Sequence, residues 1–559
     1  MARPLFPPQR PAHPFDVVAR VVESRPVDVA LGWAARALGS DAEQRSAYPV
    51  APPLVAPPGD PRPEAEHAAP HARALLEVLQ AHEGDPAGPT VSAFAHAYRA
   101  GRASPVDVAA AVLAAIDDSE AGPTPMRFFI SVDDDDVRTQ AAASAQRHAT
   151  GRPLSWLDGV PVAVKDEIDQ GGHRTTLGTA MSGLDVQRQD CVAVARLRAL
   201  GALLVGKTNM HELGAGPTGL NRSHGTCRNP WDPLRFPGGS SSGSAAVVAA
   251  GLVPLAVGCD GGGSIRIPAA LCGIVGLKPT YGRVPRSGET PPLALSVTNI
   301  GPMGRTVADV AVGYAALAGP DWRDGASQMQ PAVSLHGWDT GDLRGVTLGI
   351  VTAWWRDADP AVARACERNV GALVARGARV RDIKMDTALD VMLGLVASIA
   401  VELKDHPWMN DIHQRQALAV DTRVGLALAR HLGRRLYDRA QRSRARVAAN
   451  VCTILQDVDL LVSPTTCVTA PLIPLSMSLG DVRQNIALMR TTALANVTGQ
   501  PAISYPVGFD GLGLPIGLQL VARPFEEALL LRVARVGEQG VESSSFTAAR
   551  TWSTLTHSG

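Results

Sequence analysis

The sequence predicts an α/β protein in which helices cover both faces of a β-sheet. From about residue 90 onward, segments with helix signals alternate with short apolar segments that are typical of buried strands. This alternation is the pattern expected of such a sheet. Ligands bind these sheets at the ends of strands, so the loops that follow strands are where a functional site is expected.

The helix and strand signals follow one another in order. One helix begins with Ser104 as its N-cap and Pro105 at its first position. The aspartates at 133–136 precede another helical segment, and we interpret them as first-turn charge, because adjacent side chains do not easily converge on one metal ion. A further helix is predicted to begin at Asp190 and to end at Gly201, before the strand "ALLVG".

The next two elements lead to a run of glycines. A helix is predicted in "SGSAAVVAAG" and a strand in "VPLAVGC", which ends before Asp260, the glycines at 261–263 and Ser264. Glycine takes backbone angles that are closed to other residues, at a cost in backbone entropy, so three in succession need a reason. A tight turn is one explanation. A cluster of N–H groups beside a nucleophile is the other.

Two domains are predicted. Residues 1–88 form an N-terminal extension, with helical segments at 15–39 and 71–84 and a connector rich in Pro and Ala at 49–70. Residues 89–545 form one large domain. Amphipathic helices outside a domain need a surface on which to bury their apolar faces, so we predict a homodimer with the extension in the contact.

Composition excludes several classes of partner. Lys and Arg together number 53, as do Asp and Glu, so the chain has no excess positive charge for binding nucleic acid. The start of the chain has no apolar signal segment, and the longest apolar run, "VMLGLVASIAV", is shorter than the roughly 20 residues of a membrane helix. The seven scattered cysteines are typical of reduced thiols. We predict a cytoplasmic protein with no transmembrane segment, which leaves peripheral membrane contact open.

Two motifs suggest chemistry that their context does not support. "GALLVGKT" fits the phosphate-loop pattern, but its variable residues are apolar and predict a strand, whereas a phosphate loop needs them in a loop. Ser241 stands at the centre of a G-x-S-x-G pattern, the nucleophile elbow, but the preceding "RNPWDPLRFPGG" has no strand pattern. The elbow remains an alternative mechanism. His211 and His224 lack a third ligand, and we interpret them as structural.

A lysine is the third candidate for a chemical role. The chain has only five lysines, and Lys165 lies where the apolar strand in "LDGVPVAVKDEID" ends. A structural role, in an ion pair with Asp166 or Glu167, is one interpretation. The other is catalytic, because burial disfavours the ammonium form and makes lysine a proton acceptor near neutral pH. A lysine of that kind can activate a serine without histidine.

Three motifs together resemble the amidase signature family of Ser-Ser-Lys hydrolases. They are "DGVPVAVKD", "PGGSSSGSAAVVAAG" and "DGGGSIRIPAALCG", and the likeness extends from about residue 90 to 540, including "GLPIGLQLVARP". Within the family, the chain is most similar to the plant-type fatty acid amide hydrolases, on "AVKDEID", "VGKTNMHELGAG", the third glycine and the long extension. The resemblance implies the amidase-signature fold, with a large twisted mixed β-sheet core and a catalytic domain at 89–545.

The resemblance also implies the roles of the site residues. Ser264 would be the acylated nucleophile, Ser240 the bridging serine, with a cis peptide, and Lys165 the base. The amides of Gly261, Gly262, Gly263 and Ser264 would form the oxyanion hole and bind the substrate carbonyl. Asp260 and Arg266 would support this loop. No metal and no cofactor is expected.

The predicted function is therefore hydrolysis of a carboxylic amide through an acyl-enzyme. The plant-type resemblance points to long-chain N-acyl amides such as N-acylethanolamines, so the small-molecule substrate would be a lipid. Amidases of short-chain or aryl amides are the alternative, as is the amidase subunit of a tRNA-dependent amidotransferase. A catalytically inactive binding protein is disfavoured because all three catalytic positions are intact.

Overall fold

In the part of the chain that the structure describes, a mixed sheet of 12 strands forms the centre. The computed structural model describes residues 3–4, 89–181, 185–288, 290–385, 387–474, 482–540, 548, 551, 552 and 554. The predicted extension helices at 15–39 and 71–84, the connector between them and the proposed dimer contact lie outside these residues. The α/β class predicted from the alternation of helix and strand signals is confirmed.

The strands are numbered in chain order. They are β1 (Arg3–Pro4), β2 (Phe129–Val132), β3 (Pro161–Lys165), β4 (Leu203–Thr208), β5 (Leu255–Asp260), β6 (Val275–Lys278), β7 (Asn299–Gly304), β8 (Thr347–Val351), β9 (Arg379–Ile383), β10 (Leu460–Pro464), β11 (Ala502–Phe509) and β12 (Pro515–Ala522). Their order across the sheet is β1-β2-β4-β3-β5-β7-β6-β11-β12-β10-β8-β9.

The helices of the described residues are numbered in the same way. The first eight are α1 (Val91–Arg99), α2 (Pro105–Glu120), α3 (Asp134–Ala149), α4 (Val192–Ala199), α5 (Ser242–Ala249), α6 (Arg266–Cys272), α7 (Val307–Leu317) and α8 (Thr352–Arg356). The others are α9 (Pro360–Ala375), α10 (Ala388–Lys404), α11 (Ile412–Gln416), α12 (Val420–Ala429), α13 (Arg434–Asp457), α14 (Val482–Met489), α15 (Ala493–Thr498) and α16 (Glu527–Gln539). Short 3₁₀ turns lie at Glu212–Gly214, Gly325–Ser327 and Pro407–Asn410. Within the described residues, no helix is long and apolar enough to cross a membrane.

Local signals set most of the predicted helix starts. Ser104 caps α2 by accepting a hydrogen bond from the amide of Asp107, and Asp133 caps α3, whose first turn is acidic as predicted. The predicted start of α4 at Asp190 is wrong by two residues, because the helix begins at Val192, with Cys191 as its N-cap. The Asp190 carboxylate instead accepts from the amide of Gly171 and from Arg198.

The sheet brings two strand ends together at the centre of the molecule. β3 pairs in parallel with β4 on one side and with β5 on the other. The carboxyl ends of parallel strands meet at the same edge, so Lys165, the last residue of β3, lies near Asp260, the last residue of β5. This is the edge at which the sequence predicts the functional site.

Helix α5 lies close against this edge because its residues are small. All eight of its residues are buried. A Cβ atom at Gly243 would lie 2.2 Å from the carbonyl oxygen of Phe128 and 2.5 Å from the amide of Asn209, so only glycine fits there. This close approach fixes the start of α5, and with it Ser240 and Ser241, against the ends of β3 and β5.

Lys278, at the end of β6, is a buried lysine whose ionisation should affect the stability of the fold. Its side chain is fully buried, and its amine donates to the carbonyl of Pro279 at 2.7 Å. Burial, reinforced by the nearby charge of Arg266, lowers the pKa of Lys278 from 10.5 to about 7. The folded state therefore favours the neutral amine, and its free energy of unfolding falls as pH decreases from 10.5 to about 7.

We predict that Lys278→Met removes this pH-dependent penalty. The stability of the variant relative to the parent should increase by a few kcal/mol between pH 10 and pH 7, since each pKa unit corresponds to about 1.4 kcal/mol. Thermal or urea unfolding at several pH values measures the difference. Lys404→Met, at a partly exposed lysine, is the matched control. A stability difference that does not change with pH would contradict the prediction.

Candidate active site

Lys165 is fully buried at the end of β3, and its amine contacts three acceptors. Nζ lies 2.8 Å from Oγ of Ser240, 3.2 Å from the carbonyl oxygen of Cys259 and 2.8 Å from Oε2 of Glu167. Lys165 therefore has the contacts that both interpretations of the sequence require, a hydrogen bond to a serine and an ion pair with a carboxylate. The partner of that pair is Glu167.

Ser240 is held by the backbone on both sides. The peptide bond between Gly239 and Ser240 is cis, as the family resemblance implies. The amide of Gly239 donates to the carbonyl of Pro217 at 2.7 Å, and the Ser240 carbonyl accepts from the amide of His211 at 3.0 Å. These bonds leave the Ser240 hydroxyl directed at Lys165.

Ser264 lines the same cavity as Ser240. It immediately precedes the N-cap of α6, Ile265, and its carbonyl accepts from the amide of Ser241 at 3.2 Å. Among the hydrogen bonds of the described residues there is none between the hydroxyls of Ser264 and Ser240. The structure thus brings Lys165 and Ser240 into direct contact and places Ser264 beside them in the cavity.

The three glycines before Ser264 differ in what their positions require. Gly263 has a φ of +130°, and a Cβ atom there would lie 2.3 Å from Oγ1 of Thr492, so only glycine fits. At Gly261 the only neighbour of a Cβ atom would be Oγ1 of Thr298, at 3.2 Å. At Gly262 it would meet the flexible ends of Leu395 and Met489, at 3.1 and 3.3 Å. The backbone conformation demands glycine only at 263.

The amides of this loop also differ. The Gly263 amide donates to Oδ1 of Asp260 at 2.7 Å, so its hydrogen is engaged by a carboxylate. The amides of Gly261, Gly262 and Ser264 donate to no acceptor among the described residues. All three residues line the cavity. The donors available to a substrate oxygen are therefore these three, without Gly263.

Asp260 and Arg266 form a fully buried ion pair that shapes the loop. The guanidinium donates to both carboxylate oxygens at 3.0 Å, and the carboxylate also accepts from the amides of Gly263 and Ile265. Burial acts to raise the pKa of Asp260, but the charge and hydrogen bonds of Arg266 and the amide of Asn496 outweigh it and hold that pKa well below its usual range. The carboxylate thus contacts the loop on both sides of Ser264.

Sequence reasoning missed the residues that complete this pair. Arg266 donates to Oδ1 of Asn496 and Oε1 of Gln519, both at 2.6 Å, and to the carbonyl of Thr492 at 2.8 Å. A signal existed for one of them, because Gln519 is a polar residue inside the apolar strand β12, "PIGLQLVA". A buried glutamine in a central strand requires a partner.

Ser241, the centre of the elbow pattern, has the contacts of a residue with a structural role. It is fully buried, and its hydroxyl donates to the carbonyl of Cys259 and accepts from the amide of the same residue, both at 3.2 Å. A loop precedes it, where an elbow needs a strand. In the phosphate-loop pattern, Leu203–Thr208 form strand β4, as the apolar residues predicted, and Gly201 and Ala202 precede the strand.

The cavity above the serines is mostly apolar. Its volume is about 60 Å³. Helix α10 contributes Ile399 and Leu403 to its wall, and α14 contributes Met489. Glu167 and Thr298 are polar residues of the lining besides the two serines. Among the described residues, no group of three or more His, Cys, Asp or Glu side chains is arranged to hold a metal ion.

Comparison with known proteins defines the class of the protein. The family model described as Amidase matches residues 110–531. The chain is 40% identical over 459 residues to the fatty acid amide hydrolase of Medicago truncatula, covering 80% of this chain and 75% of that protein. It is 38% identical over 474 residues to a subunit of the glutamyl-tRNA(Gln) amidotransferase of Chloroflexus aurantiacus, covering 79% of this chain and 95% of that subunit.

A solved structure agrees with these relatives. The peptide amidase of Stenotrophomonas maltophilia superposes with a TM-score of 0.70 at 27% identity, covering 85% of this chain and 99% of that one. Fold and relatives together define an amide-hydrolysing serine enzyme. The chain belongs to the amidase signature family, and the fatty acid amide hydrolases of plants are among its close relatives.

We predict that Asp260→Asn destabilises the protein by about 3–5 kcal/mol at neutral pH, because it leaves the Arg266 charge buried and unpaired. Since the pKa of Asp260 is lowered by folding, the difference from the parent should persist at neutral pH and shrink only below its unfolded value of 3.8. Urea unfolding measures it. Asp342→Asn, which breaks an exposed pair with Arg344, is the control and should change stability little.

Proposed function

We propose that this amidase acts through an acyl-enzyme on Ser264, with Ser240 as the bridging serine and Lys165 as the base. The observation that carries the proposal is the 2.8 Å contact between Nζ of Lys165 and Oγ of Ser240, in a cavity that Ser264 also lines. A base in hydrogen-bonding distance of a hydroxyl is the geometry that general-base catalysis requires.

Proton transfer then follows a short path. The neutral amine of Lys165 takes the proton of Ser240 while Ser240 takes that of Ser264, and Oγ of Ser264 forms a bond to the amide carbon. The carbon–nitrogen bond breaks as Ser240 gives a proton to the leaving nitrogen and takes one back from Lys165, which becomes neutral again. Water attacks the resulting ester and releases the acid, which restores the Ser264 hydroxyl.

The developing negative charge on the carbonyl oxygen needs donors that are already in place. The amides of Gly261, Gly262 and Ser264 supply them in this proposal, since no acceptor among the described residues engages them. The loss of one such donor costs about 2.7–4 kcal/mol of transition-state stabilisation. The buried pair of Asp260 and Arg266 keeps the loop rigid, so little reorganisation is required during the reaction.

Long-chain N-acyl amides are the proposed substrates. The apolar wall formed by Ile399, Leu403 and Met489 suits an acyl chain, and relatives 40% identical to the chain carry the name fatty acid amide hydrolase. The longest apolar run of the sequence, "VMLGLVASIAV", lies within α10, which contributes two of these wall residues. The homodimer and the cytoplasmic location stay predictions.

A second candidate substrate class has an observation in its favour. A water needs roughly 10–15 Å³ of such space, so a cavity of about 60 Å³ holds only a few atoms beyond the reacting amide. Short-chain amides fit that volume directly, whereas an aryl group or a long chain requires the side chains of α10 to move. Activity of the isolated chain on simple amides separates both classes from an amidotransferase subunit, which works within a complex.

We predict that Ser264→Ala abolishes amide hydrolysis and covalent labelling by a fluorophosphonate, because no acyl-enzyme forms. Mass spectrometry of the labelled peptide locates the modified serine in the parent protein. Thr453→Ala, at an exposed hydroxyl on α13, is the control and should be labelled like the parent. Labelling that survives in Ser264→Ala and disappears in Ser241→Ala would support the nucleophile elbow instead.

For ethanolamides of two to eighteen carbons, we predict that kcat/KM increases with acyl length by up to about fourfold per methylene, because each buried methylene contributes about 0.8 kcal/mol. Ile399→Trp, which narrows the wall, should reduce the rates of the long substrates and leave those of the shortest unchanged. Rates that are flat or decline beyond about six carbons would contradict the long-chain proposal and leave the amidase activity intact.

A further inference from the structure

Glu167 is the one carboxylate recorded in contact with Lys165 among the described residues. Its Oε2 lies 2.8 Å from Nζ, and its side chain is only 9% exposed. The residue lines the cavity with Ser240 and Ser264, and also a smaller neighbouring cavity that contains Arg286. A carboxylate in this position contacts the base directly and faces the reaction space.

Asp166, the other carboxylate next to Lys165 in the sequence, has different partners. Its oxygens accept from the hydroxyl of Thr176 at 2.5 Å and the amide of Gly178 at 2.9 Å, and one lies 3.7 Å from the amine of Lys207. These contacts fix the loop that follows β3. The two adjacent carboxylates therefore serve different lysines, and only Glu167 is directed at the serines.

The three groups around Lys165 match the three N–H donors of the ammonium, and they also orient the neutral amine that the proposed mechanism requires. A neutral amine has two N–H donors and one lone pair. A carboxylate, here that of Glu167, and the Cys259 carbonyl can only accept, so they take the two N–H groups. The lone pair is left for Ser240, whose hydroxyl can donate to it across 2.8 Å.

From this arrangement we infer that Glu167 is a positioning residue for the Lys165 base. It directs the lone pair of Lys165 at the Ser240 hydroxyl before the reaction, and its charge stabilises the ammonium that forms when Lys165 takes the proton. The inference rests on the proposed function of Lys165. The proton count is unchanged, because no proton passes to Glu167 and Lys165 gives its extra proton back to Ser240.

The other charged groups near Lys165 already have opposite charges beside them. Asp260 is paired with Arg266, Asp166 lies near Lys207, and Arg286 lies 3.6 Å from Asp324. Burial raises the pKa of the Cys259 thiol well above its usual value, so that thiol is neutral. Glu167 is thus the charge best placed to influence the protonation of Lys165.

The pH dependence of kcat/KM tests the inference. Glu167→Gln removes the negative charge 2.8 Å from Nζ, so the acidic limb of the profile should move to lower pH. The rate on the plateau should fall at least tenfold, because the ammonium is no longer stabilised in the transition state. Glu167→Ala should move the limb in the same direction and lower the plateau further, since it also removes the hydrogen bond.

Glu120→Gln is the matched control. Glu120 is also largely buried, and its Oε1 accepts from the amide of Arg127 at 2.7 Å, a bond that glutamine can keep. The control should have the parent's profile. A purely structural role of Glu167 would lower activity without moving the limb, so an unmoved limb in Glu167→Gln overturns the inference.

A second measurement does not depend on turnover. The chain contains only five lysines, so NMR of protein labelled with ¹³Cε-lysine gives a spectrum in which Lys165→Met identifies the Lys165 signal. Its titration midpoint should move to lower pH in Glu167→Gln and not in Glu120→Gln. A midpoint that is unchanged in Glu167→Gln overturns the inference. A shifted midpoint in a protein whose Ser264 is never labelled supports the coupling of Glu167 to Lys165 and counts against the proposed function alone.

Discussion

The buried ion pair of Asp260 and Arg266 is the interaction on which the rest of the site depends. Two fully buried charges are costly unless every donor and acceptor around them is matched. Here the chain turns after β5, and the amides of Gly263 and Ile265 donate to the carboxylate, which meets part of that requirement. Arg266 has further bonds to Asn496 and Gln519, which tie the turn to α15 and β12. Ser264 lies inside this turn, so its position follows from satisfying a buried charge.

A second constraint comes from the sheet. Because β3 and β5 are parallel neighbours, the end of β3 presents Lys165 beside the start of the turn that holds Ser264. The small residues of α5 then allow its N-terminus to approach closely, as Gly243 requires, and this brings Ser240 to Lys165. The strand order and the close packing of α5 bring these three segments together, although they lie far apart in the chain.

The parts of this arrangement that local chemistry determines could be predicted from the sequence. Helix caps such as Ser104 depend on a few neighbouring residues, and the alternation of apolar strands with helices gave the α/β class. The partners of Arg266 could not be predicted, because Asn496 and Gln519 lie more than 200 positions away in the chain. The choice between Asp166 and Glu167 as the partner of Lys165 also depended on geometry, since both follow the strand at its end. Three glycines in succession suggested that the whole run requires glycine, but only Gly263 has a backbone conformation that demands it.

Different parts of the fold position the proposed catalytic residues and the wall of the cavity. The sequence motifs therefore predict the reaction more specifically than they predict the substrate. Lys165, Ser240 and Ser264 are held by the sheet and the buried charges beneath it, whereas Ile399, Leu403 and Met489 enter the cavity from α10 and α14, outside the motifs. Substitutions in those helices can reshape the wall without disturbing the ion pair or the strand ends. Relatives named for fatty acid amides and for a tRNA-dependent amidotransferase accordingly show almost the same identity to this chain, 40% and 38%. In the proposed mechanism, the scaffold fixes how the amide bond is attacked, and the helices above it decide which amide reaches Ser264.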